Sequence, residues 1–440
     1  MRFIMALLLL AMPVSALAVP ADKLAPVKHI IVFYLENHSF DNLLGEFPGA
    51  EGIAQAGEHA VQVDKDGKPY VTLPPAMEEG KPDTRFPETL ANKPFLITDY
   101  VPLNDKTGDL VHRFYQLQEQ IDGGKMDRFA LVSDAGGLTM GHYGKQDSPL
   151  WDYASRYTLA DHFFTGAFGG SMLNHFWLVC ACTPRYENAP EKSHTVLGAD
   201  GKLVKDGPLT PDGYAVNTIE PFNQPYATKA TDAARRLPPS ELPTIGERLS
   251  DKGISWAWYS GGWADADAGK PDKSFIFHHQ PFVYFKPYAP GTKERAEHLK
   301  DEKDFAAAID NGSLPAVSFY KPIGNDDLHP GYARLKDSED HVFALVKKIE
   351  QSPIWKDSVV IITFDDAGGW WDHVAPPKAD RFGPGERIPT LVISPLAKKA
   401  FVDHTVYDTT AILKLIEKKY DLKPLTDRDA KAGDLTNALE

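Results

Sequence analysis

The sequence is poor in cysteine and in positive charge. Its 440 residues include only Cys180 and Cys182, which excludes a disulfide-rich scaffold. A bridge across a single intervening residue is strained, so we predict that both cysteines are small, buried and unpaired in a helix. The formal net charge of -14 argues against nucleic acid or an anionic membrane surface as the main partner.

Long apolar runs are also absent, except at the N-terminus. Arg2 precedes an apolar segment at 3–13, and residues 15–18 (SALA) fit a cleavage site made of small residues. The run is too short to favour a retained membrane anchor. We therefore predict a Sec-type signal peptide over residues 1–18 and a periplasmic or secreted protein that binds its metal after export.

The rest of the chain has ordinary globular composition, with 42% hydrophobic and 25% charged residues. Apolar segments typical of buried strands alternate with helical patterns, which predicts one α/β domain over residues 19–440 with a mainly parallel central sheet. Two stretches rich in glycine, proline and charge, 46–108 and 185–240, are predicted to be loop insertions. The predicted strands are 28–35, 254–259, 315–320, 359–364 and 388–394.

Acidic and amide side chains follow two of these strands directly. Segment 359–364 runs into Asp365 and Asp366, and the first strand runs into Glu36 and Asn37. The carboxyl ends of strands in open α/β sheets are where ligands bind, and hard oxygen donors suit divalent cations. We therefore predict one divalent metal ion here; mixed carboxylate and amide oxygens suit several metals. The alternative is a capped, solvated turn after a core strand.

A serine follows two glycines at the start of a strongly apolar helix. Ser171 comes after Gly169 and Gly170 and precedes the predicted helix at 172–179. Free backbone N–H groups and the positive end of the helix dipole make such a position a phosphate or anion site. The alternative is a simple N-cap serine.

Five further side chains lie in predicted loops or near helix ends. A metal polarises a phosphoryl oxygen, a serine attacks phosphorus, and basic side chains neutralise phosphoryl oxygens or protonate the leaving group. Together these parts indicate phosphoester hydrolysis. His112 lies off the apolar stripe of a helix predicted at 109–121, so its sequence context favours an exposed surface histidine. The five side chains are His112, Lys125, His278, His279 and His329.

Four segments resemble those of the bacterial phospholipase C/acid phosphatase family, which belongs to the alkaline phosphatase superfamily. The similarity covers nearly all of the mature chain. Ser171 and the Asp365–Asp366 pair are most similar to the respiratory-burst-inhibiting acid phosphatases, whereas the phospholipase C branch commonly has a threonine and an Asp-Glu pair there. The segments are 36–42 (ENHSFDN), 124–129 (GKMDRF), 169–175 (GGSMLNH) and 365–373 (DDAGGWWDH).

The resemblance implies an alkaline-phosphatase-like three-layer sandwich and a set of residue roles. It implies that Ser171 is the nucleophile and that His329 is the general acid. Two histidines within the matched segments, His175 and His373, are predicted to be structural. The implied metal ligands are Glu36, Asn37, Asp365 and Asp366, and the implied phosphate-pocket residues are His112, Lys125, His278, His279 and His329.

We therefore predict a metal-dependent acid phosphatase that hydrolyses small phosphomonoesters through a phosphoserine intermediate. One alternative is a phospholipase C, which needs an apolar rim to meet lipid. The aromatic segment 275–285 could supply that rim, although a core or lid role is favoured. The other alternative is a binding protein whose metal is only structural.

Overall fold

A computed structural model of the chain describes residues 22–146, 148–226 and 232–440 and has an eight-stranded sheet at its centre. The predicted signal peptide lies outside the described residues. Across the sheet the strands follow the order β4-β3-β5-β1-β6-β7-β2-β8. Their bounds are His29–Leu35 (β1), Thr158–Ala160 (β2), Trp256–Ser260 (β3), Leu299–Asp301 (β4), Val317–Lys321 (β5), Ser358–Phe364 (β6), Thr390–Ile393 (β7) and Phe401–Asp403 (β8).

The two strands predicted to end in ligands lie side by side at the centre of the sheet. β1 and β6 are parallel, with a register that runs from His29 opposite Ser358 to Leu35 opposite Phe364. Only β7 runs antiparallel to its neighbours. The prediction of a mainly parallel sheet is confirmed, and the apolar sequences of β1 and β6 are explained by burial on both faces.

Helices cover both faces of this sheet, as a three-layer sandwich requires. On one face the ring of Tyr34 lies 5.0 Å from that of His175, and on the other Phe33 lies 5.7 Å from Phe305. The helices are Phe40–Leu44 (α1), Phe114–Ile121 (α2), Phe129–Val132 (α3), Pro149–Arg156 (α4), Ser171–Cys180 (α5), Ile245–Asp251 (α6), Trp263–Asp267 (α7), Lys293–His298 (α8), Glu302–Asp310 (α9), Leu335–Gln351 (α10), Thr410–Tyr420 (α11) and Asp427–Lys431 (α12). None of the helices in the described part of the chain is long and apolar enough to cross a membrane.

The helix predicted at 109–121 begins only at Phe114. The preceding residues are extended, and the N–H of Val111 donates to Asp134 Oδ1 at 2.8 Å. The N–H of Phe114 donates to Asn217 Oδ1 at 3.0 Å, so a distant side chain satisfies the first free donor of the helix. This start leaves His112 outside the helix.

The prediction that both cysteines are unpaired is wrong, because Cys180 and Cys182 form a disulfide. Helix α5 ends at Cys180, and Ala181 adopts the left-handed conformation with φ 47°. The chain therefore reverses between the two cysteines, and their Cα atoms lie 5.1 Å apart. The prediction assumed one continuous helix, in which these side chains point in different directions.

The two predicted insertions contain only short elements. Thr72–Leu73 pairs with Leu90–Ala91, and Val196–Leu197 pairs with Leu203–Lys205. Both insertions contribute residues to the cavity described below, including Lys106 near the end of the first and Asn217 in the second.

Candidate active site

The register of β1 and β6 brings their polar extensions together. The N–H of Asp365 donates to the carbonyl of Leu35 at 2.9 Å, so Asp365 and Glu36 lie next to each other, and both are fully buried. Parallel neighbours that end at the same level explain how residues more than 300 positions apart meet.

Ser171 joins this group from the start of helix α5. Its Oγ lies 3.1 Å from Glu36 Oε2 and 3.1 Å from Asp366 Oδ2. The N-cap residue is Gly170, and no side-chain hydrogen bond caps the helix. The N-cap interpretation of Ser171 is therefore wrong, because its hydroxyl faces the carboxylates.

The backbone around the group is strained or crowded at three positions. Asn37 has φ 112°, a conformation that side-chain-bearing residues rarely adopt and that is concentrated at functional sites. Gly368 has φ 63°, and a side chain there would collide with the carbonyl of Asn37. Gly169 has φ 86°, and a Cβ atom there would lie 2.6 Å from the N atom of Phe114. The glycines therefore allow the segments that carry the site to approach closely.

The oxygen atoms at the centre fit a divalent cation. The side-chain oxygen of Asn37 faces Glu36 and lies 3.0 Å from Asp365 Oδ1. Oxygen atoms that contact each other with no proton donor between them repel. A cation bound among them would remove the repulsion, and so would a flip of the Asn37 amide that exchanges its oxygen and nitrogen atoms. Carboxylate and amide oxygens are also the donor types that hard divalent cations prefer.

The protonation equilibria indicate a shortage of positive charge. Burial, with the charge of Glu36, raises the pKa of Asp365 well above its ordinary value. Burial raises the pKa of Asp366 to about 6, and Glu36 adds to the shift. Burial also pushes the pKa of Glu36 up, but the charges of Lys321 and His279 outweigh it and hold this pKa well below its ordinary value. Bound positive charge would let all three carboxylates ionise together.

Lys321 and Asp327 belong to the same buried group and were not predicted. Lys321 Nζ lies 2.5 Å from Glu36 Oε1 and 3.5 Å from Asp365 Oδ2. Lys321 is the last residue of β5. Its sequence context therefore matches that of Glu36 and Asp365, a charged residue where an apolar strand ends. The predicted strand stopped one residue earlier. Asp327 lies within reach of Glu36 and His279.

His112 and His329 face the amide of Asn37 from the cavity side. Each ring donates through Nδ1 to a carbonyl oxygen, His112 to Leu110 at 2.5 Å and His329 to Pro330 at 2.6 Å. Each Nε2 lies 3.2 Å from the Asn37 amide. Only 20% of the His112 side chain is exposed, so the prediction of an exposed surface histidine is wrong.

The two histidines differ in electrostatics. Burial opposes protonation of His112, but the charges of Asp366 and Asp109 outweigh it and raise its pKa. Burial lowers the pKa of His329, although the charge of Glu36 opposes this shift. His112 therefore favours its protonated form more than His329 does.

The neighbouring histidines separate into one that lines the cavity and two that lie behind the carboxylates. His278 lines the cavity. His279 Nε2 lies 2.8 Å from Glu36 Oε1. His175 Nδ1 donates to the carbonyl of Ser171 at 2.7 Å and lies 3.6 Å from Asp365 Oδ2. Of the pair at 278 and 279, the structure therefore places His278 at the cavity.

Two of the residues considered lie elsewhere. Lys125 is exposed, and its Nζ donates to Asp122 Oδ2 at 2.6 Å, so the structure does not bring it to the cavity. Lys125 follows the turn that ends α2, and Asp122 in that turn is its acidic partner. His373 Nδ1 donates to Asp41 Oδ2 at 2.6 Å in a separate buried cluster, in line with the predicted structural role.

A cavity of about 900 Å³ opens beside Ser171. Its volume suits a small organic phosphate. Its lining combines the candidate catalytic residues with charged side chains of both signs, namely Lys106, Arg113, Lys273, Asp109, Asp134 and Asp272.

Comparisons with known proteins identify a family and several distant relatives. The Phosphoesterase family model matches residues 27–423. Phospholipase C B of Mycobacterium tuberculosis is 26% identical, with 94% of this chain and 78% of the relative covered. Non-hemolytic phospholipase C of Pseudomonas aeruginosa is 24% identical, with 97% and 59% covered, so this chain spans about three fifths of that relative. A solved structure of an alkaline phosphatase superfamily protein from Vibrio parahaemolyticus is 12% identical, covers 69% of this chain and 66% of that chain, and gives a TM-score of 0.37.

Proposed function

The chain belongs to the phosphoesterase family, and we propose that it is a metal-dependent acid phosphatase acting on small phosphate monoesters. Hydrolysis of phosphate esters follows from the family and its phospholipase C relatives. The observation that carries the finer proposal is the position of Ser171, whose Oγ lies 3.1 Å from two carboxylates at the start of α5 and borders a charged cavity.

In the proposed reaction Ser171 Oγ passes its proton to Asp366 Oδ2, 3.1 Å away, and attacks phosphorus, and the bond from phosphorus to the leaving oxygen breaks. The product is a phosphoserine, which water then hydrolyses with return of the serine hydroxyl. The first N–H groups of α5 are placed to donate to phosphoryl oxygens. A divalent cation held by Glu36, Asn37, Asp365 and Asp366 would supply positive charge that favours loss of the Ser171 proton and offsets phosphoryl charge.

Histidines supply the remaining charge and the proton. His112, with its raised pKa, donates from Nε2 to a phosphoryl oxygen in the proposed complex. His329 lies beside His112 on the cavity side of the Asn37 amide and is the proposed general acid, which protonates the leaving oxygen through Nε2. Both roles need a protonated histidine, and burial lowers the pKa of His329, so we expect the rate to begin to fall at a pH below about 6.5, the ordinary histidine value.

The cavity rim supports water-soluble monoesters rather than lipid. Among the exposed large hydrophobic side chains in the described residues, only Tyr332 lines the cavity. The aromatic segment at 275–285 contributes Ile276 and His278 to the cavity lining but none of its phenylalanines, and Phe282 and Phe285 are fully buried.

Phospholipase C activity is the second candidate, and the names of the relatives favour it. Three substrates compared at equal enzyme concentration separate the candidates: p-nitrophenyl phosphate, bis(p-nitrophenyl) phosphate and phosphatidylcholine vesicles. We expect phosphate release from the monoester to dominate, with Ser171→Ala as the inactive control. Preference for the soluble diester together with phosphocholine release from vesicles would support the phospholipase instead.

We also propose that the protein is exported, on the basis of the N-terminal sequence. The expected mature protein begins after Ala18. N-terminal sequencing of protein recovered from the periplasmic and cytoplasmic fractions of an expressing bacterium tests this; an uncut chain confined to the cytoplasm would contradict it.

A further inference from the structure

A second group of ligand-type side chains lies at one edge of the sheet, at the carboxyl ends of strands β2 and β8. Strands β2 and β8 are parallel neighbours, with Ala160 opposite Asp403. The next residue on each strand, Asp161 and His404, therefore emerges at the same level, and His162 follows Asp161. This is the sheet geometry that brings Glu36 and Asp365 together, repeated at the edge.

Two imidazoles converge on one buried carboxylate. His162 Nδ1 lies 2.9 Å from Asp161 Oδ1, and His404 Nδ1 lies 2.9 Å from Asp161 Oδ2. One ligand atom from each of the three residues lies within 4.8 Å of the others. Ligand atoms around a tetrahedral zinc ion, with bonds of roughly 2.0 Å, are separated by about 3.3 Å. The two separations of 2.9 Å between imidazole and carboxylate are within a few tenths of an ångström of this value.

A carboxylate behind the group fixes the orientation of His162. The Nε2 atom of this ring lies 2.9 Å from Glu51 Oε2, and the N–H of Glu51 donates to Asp161 Oδ2 at 2.8 Å. Histidines that bind metal usually give their second ring nitrogen to a carboxylate, which fixes the ring and increases its basicity. The arrangement leaves Nδ1 of His162 pointing at Asp161.

We propose that Asp161, His162 and His404 form a second metal site, selective for a nitrogen-preferring divalent ion such as Zn²⁺. Imidazole ligands favour zinc and its neighbours in the transition series, whereas the central group offers mainly oxygen. The side chain of Asp161 is fully buried, that of His162 is 16% exposed and that of His404 is 61% exposed. The site is therefore open on one side, and the ion exchanges with solvent there.

Such an ion would tie the edge of the sheet to the loop that carries Glu51. Binding to the folded state alone stabilises it, so zinc is expected to raise the melting temperature. The exposed side chain of His404 has no part in the proposed catalytic group, so its removal should leave hydrolysis unchanged.

The test counts bound ions on the full chain. Wild type, His404→Ala and the surface control His194→Ala are titrated with Co²⁺ and with Zn²⁺ and measured by native mass spectrometry. We expect His404→Ala to bind one equivalent fewer than the other two proteins. The visible absorption of bound Co²⁺ should fall in that variant alone, and p-nitrophenyl phosphate hydrolysis should stay equal in all three.

A second variant tests whether both imidazoles are needed to hold the ion. His162→Gln removes the other imidazole and should cause the same loss of one equivalent and of the zinc-dependent rise in melting temperature. Equal ion counts and equal zinc-dependent melting shifts in wild type, His404→Ala and His162→Gln would overturn the proposal and leave a hydrogen-bonded cluster only.

Discussion

Two buried acidic clusters arise from the same pair of sequence segments but differ in how their charge is compensated. Segments 36–42 and 365–373 each begin in the candidate active site. Each ends in a second cluster, formed by Asp41, Asp372 and His373. Residue types are alike in the two clusters, so composition does not distinguish them.

The second cluster is neutralised by the chain itself. Arg387 is fully buried; its Nε lies 3.1 Å from Asp372 Oδ1, and its Nη2 lies 3.0 Å from Asp41 Oδ1. His373 adds a hydrogen bond to Asp41. A planar guanidinium that serves two carboxylates is a typical buried ion-pair arrangement.

The first cluster is not neutralised in this way. Lys321 is the only lysine or arginine among the described residues that pairs with its carboxylates, so the carboxylates outnumber the cation. The cluster also borders a cavity. We infer that a buried acidic cluster serves function where its negative charge is uncompensated and borders a cavity. The cluster serves structure where an arginine pairs with its carboxylates.

The largest expected effect is on turnover in Ser171→Ala. Loss of the nucleophile should lower kcat by roughly 1000-fold or more while the fold and bound metal remain. Rapid acid quenching should trap phosphoserine in wild type but not in the variant. Ser155→Ala, at an exposed position, is the control, and near-normal kcat in Ser171→Ala would refute the mechanism.

The next effect concerns metal content. Asp365→Asn removes one charge from the uncompensated cluster, and we expect bound metal and activity to be lost together, because neutral amides bind divalent cations more weakly. Asp372→Asn in the neutralised cluster is the matched control and should retain both. Stoichiometric metal in Asp365→Asn, measured by mass spectrometry, would show that the ligand assignment is wrong.

Arg387 should matter for stability rather than for chemistry. Arg387→Met leaves Asp41 and Asp372 buried without their cation, which we expect to cost about 3–5 kcal/mol of unfolding free energy. Chemical denaturation measures the loss. Adding Asp41→Asn and Asp372→Asn to the same chain should restore part of it; no recovery would mean that packing, not charge, dominates there.

The sequence predicts the central strand ends well, for a physical reason. Apolar strands buried on both faces run directly into Glu36 and Asp365, and parallel neighbours must end together. Lys321 also lies at the end of an apolar strand. A lysine in that position is usually exposed, and its burial becomes apparent only from the register of the strands in the structure. Asp327, in the loop that follows, likewise becomes recognisable only when the loop is placed.

Other features depend on contacts that a local pattern does not contain. The start of α2, and with it the position of His112, is set by Asn217 about 100 residues away. The disulfide depends on Ala181 in a left-handed conformation that glycine or asparagine usually adopts. Lys125 lies in a matched segment, yet its side chain pairs with Asp122.

Glu339 offers a third case, a buried carboxyl with no arginine partner among the described residues. Burial raises its pKa to about 8, although Ser148, whose Oγ donates to it at 2.9 Å, opposes the shift. The carboxyl is therefore neutral in the folded protein at neutral pH but ionised in the unfolded chain, whose pKa is near 4.3.

The sign of the resulting pH dependence follows from proton counting. Between about pH 4.3 and pH 8 the folded state holds a proton that the unfolded state has lost, so stability falls as the pH rises through this window. We expect Glu339→Gln to remove this slope and to be more stable than wild type by up to about 4–5 kcal/mol at pH 8. Denaturation curves at several pH values measure both quantities. An unchanged slope in Glu339→Gln would mean that this carboxyl is ionised in the folded protein after all.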